Sequence, residues 1–344
     1  MNTTDIRQII ENRNFPGKNA GTVLEETHAS WVILTPEFAY KIKKPLRYTF
    51  LDFSTLEKRR TICEREVELN RRLTEGIYIG VVPIREFDGK LQVEGTRGQA
   101  VEYAVKMKRL DNSRQMNLLL EKNEVTHRHL HQLAEKLAAF HARAEKVAQT
   151  PDIQAMQTDF ADLSGVAGFL SEQLGESAAE LVSRSVAWSA AFLASHEARL
   201  LERHRLGFVI DGHGDLHSKN IFLLDVPVIF DCIEFSDHFR QSDVLNELAF
   251  FCMDLDAFDR QDLASVFLQY YLALHPCMSN EEDRGIFDYF KLYRANVRLK
   301  VNALKAMQAG DEDELKKRTG LVISYFDLFG SYFEKLTRAK SIQP

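Results

Sequence analysis

Cysteine is scarce: Cys63, Cys232, Cys252 and Cys277 are all there is in 344 residues. None forms a CxxC pair, and each lies in an apolar or helical-looking stretch. A disulfide framework is not indicated; buried free thiols and a reducing cytoplasm are. No apolar run is long enough to span a bilayer. The opening Met1-Asn2-Thr3-Thr4-Asp5-Ile6-Arg7 holds no apolar signal core. Cationic residues are not in excess. With 44 Lys and Arg against 50 Asp and Glu the net charge is −6, so no whole-molecule attraction to nucleic acid or anionic membrane is expected, while a local basic site for phosphate is compatible with it. There is no internal repeat and no low-complexity tract. GxGxxG and GxSxG are missing, and Gly17-Lys18 lacks the preceding Gly and following Ser or Thr of a phosphate-binding P-loop.

What is present begins with strands. Residues 30–34 read as a buried strand, Thr35-Pro36-Glu37 as a turn, and residues 38–43 alternate apolar residues with lysine, as a half-buried strand does. A helix is predicted over 55–74. Residues 81–84 and 91–93 flank an Asp88-Gly89 hairpin signal, and 102–110 reads as a further strand. Beyond Asn112 apolar residues recur at helical spacing, in 130–140, 177–206, 244–255, 263–274, 286–307 and 315–336. Residues 208–231 interrupt this pattern with short strands. Two lobes are therefore expected, 1–109 for nucleotide binding and 110–344 for catalysis and acceptor binding. The expected fold class is α+β: a bilobal, protein-kinase-like fold, with a small antiparallel-sheet N-lobe carrying one main helix and a larger helical C-lobe.

The chemistry concentrates in that interruption. His213-Gly214-Asp215-Leu216-His217-Ser218-Lys219-Asn220 is followed by Ile229-Phe230-Asp231. An Asp, an Asn five residues on, and an Asp about ten beyond that is the spacing of kinase-like phosphoryl transfer. Asp215 would orient a substrate hydroxyl and accept its proton. Asn220 and Asp231 offer hard oxygen ligands that suit Mg²⁺ beside the phosphates of ATP. Taken singly, each is equally a turn or capping residue; the joint spacing and the flanking strands carry the catalytic reading.

This segment resembles the aminoglycoside phosphotransferase family, kinase-like enzymes that also resemble choline kinases. His213–His217 with Asn220-Ile221 matches the family's catalytic loop, and Asp231 its metal-binding Asp. Residues 242–250 resemble its Asp-to-Leu-Ala stretch, in which the Asp, here Asp243, braces the loop. Residues 133–141 resemble its Leu-Ala helix ending in His. The likeness runs from about Glu25 to Leu255 and is sharpest over 210–250. Its nearest match is a bacterial subgroup with uncharacterised members that carries the Phe-Leu-Asp-Phe-Ser-Thr segment found at 50–55.

The resemblance implies a lysine for the ATP phosphates and a helical Glu to pair with it. Phe38-Ala39-Tyr40-Lys41 has the form of the kinase Val-Ala-Ile-Lys. Lys41 is the candidate and Lys43, on the same strand face, the alternative; an edge strand decorated with lysines is the plain reading. Glu66 is the expected partner, and adenine would lie against 107–110, beginning with Met107. His213 and His217 are supporting residues. Cys232-Ile233-Glu234 follows Asp231 where protein kinases have Phe-Gly, and Glu234 either assists at the metal or pairs with a cation such as Arg240. The phosphate-covering stretch 25–30 has no Gly, so Thr27 or Ser30 would serve there.

The reading is an ATP- and Mg²⁺-dependent phosphotransferase acting on a hydroxyl of a small-molecule acceptor, in the cytoplasm. No Ala-Pro-Glu peptide-docking segment is evident, which favours a small acceptor over a protein. The acidic Asp159, Asp162, Glu172 and Glu176 either attract a cationic acceptor or form solvated faces. Two alternatives remain: a non-catalytic nucleotide-binding module, and a metal hydrolase in which His213, Asp215 and His217 converge on zinc. His127, His129 and His131 look metal-like, but alternate residues diverge around a helix, so a solvated face is expected. Trp31, Tyr289, Phe290 and Tyr293 are expected in the core.

Overall fold

A computed structural model describes residues 1–17, 20–48 and 51–340. Lys18 of the Gly-Lys pair and Phe50 of the 50–55 segment lie outside the described residues. The chain forms two compact units. The first holds Met1–Leu119, His213–Asp215 and Lys219–Arg240; the second holds Leu120–Gly212, Leu216–Ser218 and the residues from Gln241 on.

The first unit is built on a six-stranded antiparallel sheet in the order Val23–Glu26, Ser30–Leu34, Phe38–Lys43, Gln99–Lys108, Tyr78–Phe87, Lys90–Val93. The hairpin between Tyr78–Phe87 and Lys90–Val93 turns at Asp88 (φ 50°) and Gly89 (φ 70°), the paired positive φ of a two-residue turn that matches strand twist. Period-two alternation splits strand Phe38–Lys43 into two faces. Tyr40 and Ile42 join Trp31, Ile33, Ile84 and Ala104 in one core, closed by Ile6 and Ile9 of helix Thr3–Glu11. The sequence reading did not anticipate that helix; it is short, and its Asn2/Asp5 capping box was the available signal. Each fully buried Ile contributes roughly 1.5–3 kcal/mol. Ala39 turns the other way, into a second core with Leu34, Cys63, Val67, Tyr78, Val105 and Met107. Cys63 and Val67 belong to helix Leu56–Arg71, which starts at Thr55, whose hydroxyl caps Lys58 N at 3.3 Å. Lys41 and Lys43 therefore face this helix.

The second unit is helical. Its long helices are His127–Arg143, Glu176–Arg205, Val244–Ala257, Gln261–Leu274, Glu281–Met307 and Glu312–Lys340. Helix Val244–Ala257 is buried on every side up to Asp256, with Asn246, Glu247, Asp254 and Asp256 buried among its apolar residues. Trp188, Phe192 and Tyr289 stack with ring centroids 4.7–6.4 Å apart. Arg203, fully buried, grips Asp243 at 2.7 and 2.8 Å and Asp283 at 2.8 Å, so its charge is matched without water. His127 and His131 are exposed, and His129 accepts from Thr126 N in a capping box. All four cysteines are buried and free. Among the described residues no helix is long and apolar enough to cross a membrane.

Candidate functional site

The loop that carries Asp215 leaves a short strand, Val209–Asp211, paired antiparallel to Gln241–Asp243. Gly212 follows, and a Cβ there would collide with the Glu247 carboxylate. Glu247 is itself buried and bonded to His141 Nε2 at 2.8 Å, while His141 Nδ1 meets the Tyr271 hydroxyl at 2.6 Å. Gly214 takes φ +85°, where a side chain would be strained. His213 is locked at both ring nitrogens. Nδ1 accepts from Asp215 N at 3.2 Å and Nε2 donates to Phe230 O at 2.9 Å, which requires the neutral Nε2–H tautomer. His217 belongs to the helical unit, buried against Phe250 with ring centroids 5.6 Å apart. In the same unit the neighbouring Ser218 N–H donates to Asp254 at 2.8 Å.

Asn220 returns to the loop. Its Nδ2 donates to the Asp215 carbonyl at 3.0 Å and to the Asp215 carboxylate at 3.1 Å. The amide nitrogen is thereby used as a donor, and Oδ1 is the end suited to a cation. Residues Ile221–Phe222 pair with Val228–Ile229, and Phe230 N donates to Asn220 O at 3.0 Å. That small hairpin brings Asp231 back to Asn220. Asp231 itself has φ 62°, a left-handed conformation that costs a non-glycine residue about 1–3 kcal/mol.

Asp231 then meets the lysine face of the sheet. Lys41 Nζ lies 2.5 Å from Asp231 Oδ1 and 2.9 Å from Glu66 Oε1. Lys43 Nζ lies 2.5 Å from the other Glu66 oxygen and 2.5 Å from Glu234 Oε1. Glu66, fully buried, is thus held by one ammonium on each oxygen. Burial pushes its carboxyl upward, but the two lysines outweigh that and hold it at about 2. Burial depresses the Lys41 ammonium, and the charges of Asp231 and Glu66 more than offset it, so its pKa is raised well above the ordinary value. For Glu234 burial prevails over the attraction of Lys43 and its carboxyl is pushed up. The lysines differ in access: the Lys41 side chain is 15% exposed and Lys43 only 2%.

The remaining candidates fall as follows. Met107 is buried beside Ala39 and Tyr78, its partners in the sheet register. Thr27 closes its own turn, accepting from Ser30 N at 3.0 Å. The Asp243 carboxylate serves Arg203 and caps Leu245 N at 2.8 Å; within this unit the acid against the loop's Gly212 is Glu247. Glu247, Arg203 and Asn70, whose amide reaches the segment after Asp231, were not singled out from sequence. Glu247 stands directly before Leu248-Ala249, which was the available signal.

Among the described residues no three His, Cys, Asp or Glu side chains gather as a metal cage. His213, with both nitrogens engaged by the protein, does not act as a zinc ligand here. Two hard oxygens from Asn220 and Asp231 fit a Mg²⁺ that keeps waters and borrows phosphate oxygens.

Comparison with known proteins bears on the family and the fold. Residues 63–280 match the sequence profile of the phosphotransferase enzyme family. An uncharacterised protein of Mycobacterium tuberculosis is 30% identical over 302 residues, covering 84% of this chain and 56% of the relative, so the chain spans about half the length of that relative. An uncharacterised protein of Mycobacterium bovis matches to the same extent. Among solved structures, choline kinase from Cryptosporidium parvum superposes with a TM-score of 0.57 at 11% identity, covering 98% of this chain and 99% of that one. Aminoglycoside 2′-phosphotransferase-IIIa, solved with GDP, gives 0.53 at 12% identity, covering 94% and 97%. These structures establish a kinase-like α+β fold. With the profile matched over most of its length, the chain belongs to the phosphotransferase enzyme family.

Proposed function

We propose that this protein transfers the γ-phosphoryl group of ATP to a hydroxyl of a small-molecule acceptor. The observation that carries the reading is the convergence, within one unit, of the Asp215–Asn220 pair with the Lys41–Glu66–Asp231 ion pairs. Family membership supports it.

On this reading residues 1–109 bind the nucleotide, with adenine against Ala39 and Met107, and residues 110–344 supply the catalytic loop and the acceptor pocket. Lys41 is the phosphate ligand and Lys43 is not, because Lys41 is the more accessible and already touches Asp231. Glu66 stays ionised at any physiological pH and keeps Lys41 aimed. Asp231 and the Asn220 oxygen would hold Mg²⁺, which supplies neutralisation of phosphate charge when bound. Asp215 orients the acceptor hydroxyl. As its oxygen bonds to the γ-phosphorus, the bond to the ADP oxygen breaks and the hydroxyl proton passes to Asp215. Asn220, donating to that carboxylate, fixes its rotamer and keeps it an acceptor. Positioning of this kind accounts for most of the acceleration in phosphoryl transfer, where little covalent chemistry falls to the protein. A cytoplasmic location is part of this reading; an ATP donor and free buried thiols support it.

The test is equilibrium binding of ATP with and without Mg²⁺, on wild type and Asp231→Asn. The reading expects Mg²⁺ to tighten binding to wild type and to have little effect on the variant. Wild type that binds no nucleotide at millimolar concentration overturns it.

A further inference from the structure

Asp231 is held by the backbone around it as well as by the Lys41 ammonium on its side chain. Four consecutive N–H groups are each taken. Phe230 N donates to Asn220 O at 3.0 Å, Asp231 N to the Tyr78 hydroxyl at 3.4 Å, Cys232 N to Asn70 Oδ1 at 2.9 Å, and Ile233 N to His213 O at 3.1 Å. Such over-determination is what a left-handed Asp needs to persist. Of the two short bonds flanking Asp231, that from Phe230 comes from the hairpin itself, whereas that to Cys232 comes from a side chain on a different element.

Asn70 is that side chain. It is fully buried on helix Leu56–Arg71, one turn beyond Glu66. Both ends of its amide are engaged: Nδ2 donates to Glu66 O at 2.8 Å, and Oδ1 accepts from Cys232 N. One amide therefore ties the residue that grips Lys41 to the residue after Asp231. An aliphatic residue would be the ordinary choice at a buried helical site; a buried amide satisfied at both ends fixes a single geometry instead.

We infer that Asn70 is a positioning residue for Asp231, setting the backbone from which the carboxylate reaches Mg²⁺. The inference rests on the proposed function. It assigns to Asn70 an effect on metal use that is separable from nucleotide contact, because the Asn70 amide bonds Glu66 O and Cys232 N and acts through the latter.

The experiment measures nucleotide affinity in EDTA and the Mg²⁺ concentration for half-maximal tightening, on wild type, Asn70→Leu, Asn70→Ala and Thr74→Val. Thr74→Val removes the hydroxyl that donates to Asn70 O at 2.8 Å and leaves the Asn70 side chain in place, so it controls for loss of stability at this helix end. The expected result is a roughly tenfold or greater rise in the Mg²⁺ requirement of Asn70→Leu, the effect of leaving one buried N–H unpaired. Affinity in EDTA should stay within about twofold, and Thr74→Val should keep the wild-type requirement. Asn70→Ala carries the same expectation should Asn70→Leu fail to fold by circular dichroism. An unchanged Mg²⁺ requirement in the folded Asn70 variant, or an equal rise in Thr74→Val, overturns the inference while leaving the proposed function intact. Wild type that binds no nucleotide overturns the function and the inference with it.

Discussion

Replacing Glu66 by Gln tests the charge structure of the site at one atom. The substitution preserves shape and leaves Lys41 with Asp231 and Lys43 with Glu234. What is lost is the ionised carboxylate that both lysines share. Burial alone raises its pKa, yet Lys41 and Lys43 hold it at about 2 against an ordinary 4.5. That difference corresponds to about 3 kcal/mol of stability at neutral pH. The group is fully buried, so solvent screening does not reduce the figure much. The sign follows from a depressed folded-state pKa. The stabilisation is complete above the unfolded value of about 4.5 and is lost as pH falls toward about 2. Wild type should therefore exceed Glu66→Gln by about 3 kcal/mol at pH 7, with the gap narrowing below about pH 4.5. The chain has two tryptophans, Trp31 in the first unit and Trp188 in the second. Urea unfolding followed by Trp31 fluorescence, with Trp188→Phe in both proteins, reads the unit that holds Glu66. Carboxylates distant from Glu66 titrate alike in the two proteins and cancel in the difference, whereas Glu234, whose carboxyl the Glu66 charge helps push up, titrates lower in the variant. A gap under about 1 kcal/mol at pH 7, or one unchanged between pH 7 and about 3.5, would refute the shared-carboxylate account.

Glu234→Gln should cost less. Burial pushes that carboxyl up, so its ionisation contributes less to folding than that of Glu66. The variant is expected to lose less stability at pH 7 than Glu66→Gln in the same urea assay, because Lys43 keeps Glu66 as a partner. Asn220→Asp replaces an N–H donor by a second carboxylate beside Asp215. Phosphoryl transfer should fall at least about a hundredfold with circular dichroism unchanged, as for a lost catalytic acid–base geometry. Lys43→Met should lower stability more than it lowers nucleotide affinity, and Lys41→Met the reverse, measured by urea unfolding and calorimetric binding.

Much of this was legible in the sequence for identifiable reasons. Alternation along 38–43 put Ala39, Lys41 and Lys43 on one face, and the structure has that face against helix Leu56–Arg71. The hairpin at Asp88-Gly89 was set by local turn chemistry, and the long helices by apolar spacing, to within a few residues. Asp215, Asn220 and Asp231 could be picked out because one short hairpin joins them; their spacing is a local property. What escaped depends on distant pairing. Asn70 looks like any polar helical residue until Cys232, 162 positions away, supplies its N–H. Arg203 reads as a solvated helix residue until Asp243 and Asp283 close around it. Glu234 was expected at the metal or on a cation such as Arg240, and Lys43 was not foreseen because strand-to-loop contacts leave no periodic trace; the structure sets Glu234 on Lys43. Asp243 was expected to brace the loop; within its own unit its carboxylate serves Arg203 and its backbone pairs with Val209.

The central claim is phosphoryl transfer from ATP to a small hydroxyl acceptor. It is tested most directly by ADP release from Mg·ATP across a panel of amino alcohols, amino sugars and aminocyclitols, comparing wild type with Asp215→Asn. The account predicts ADP formation that depends on one acceptor class, on Mg²⁺ and on Asp215, with a phosphate monoester of that acceptor as product. Tight Mg·ATP binding without acceptor-dependent ADP release anywhere in a broad panel would contradict it and identify a nucleotide-binding module instead.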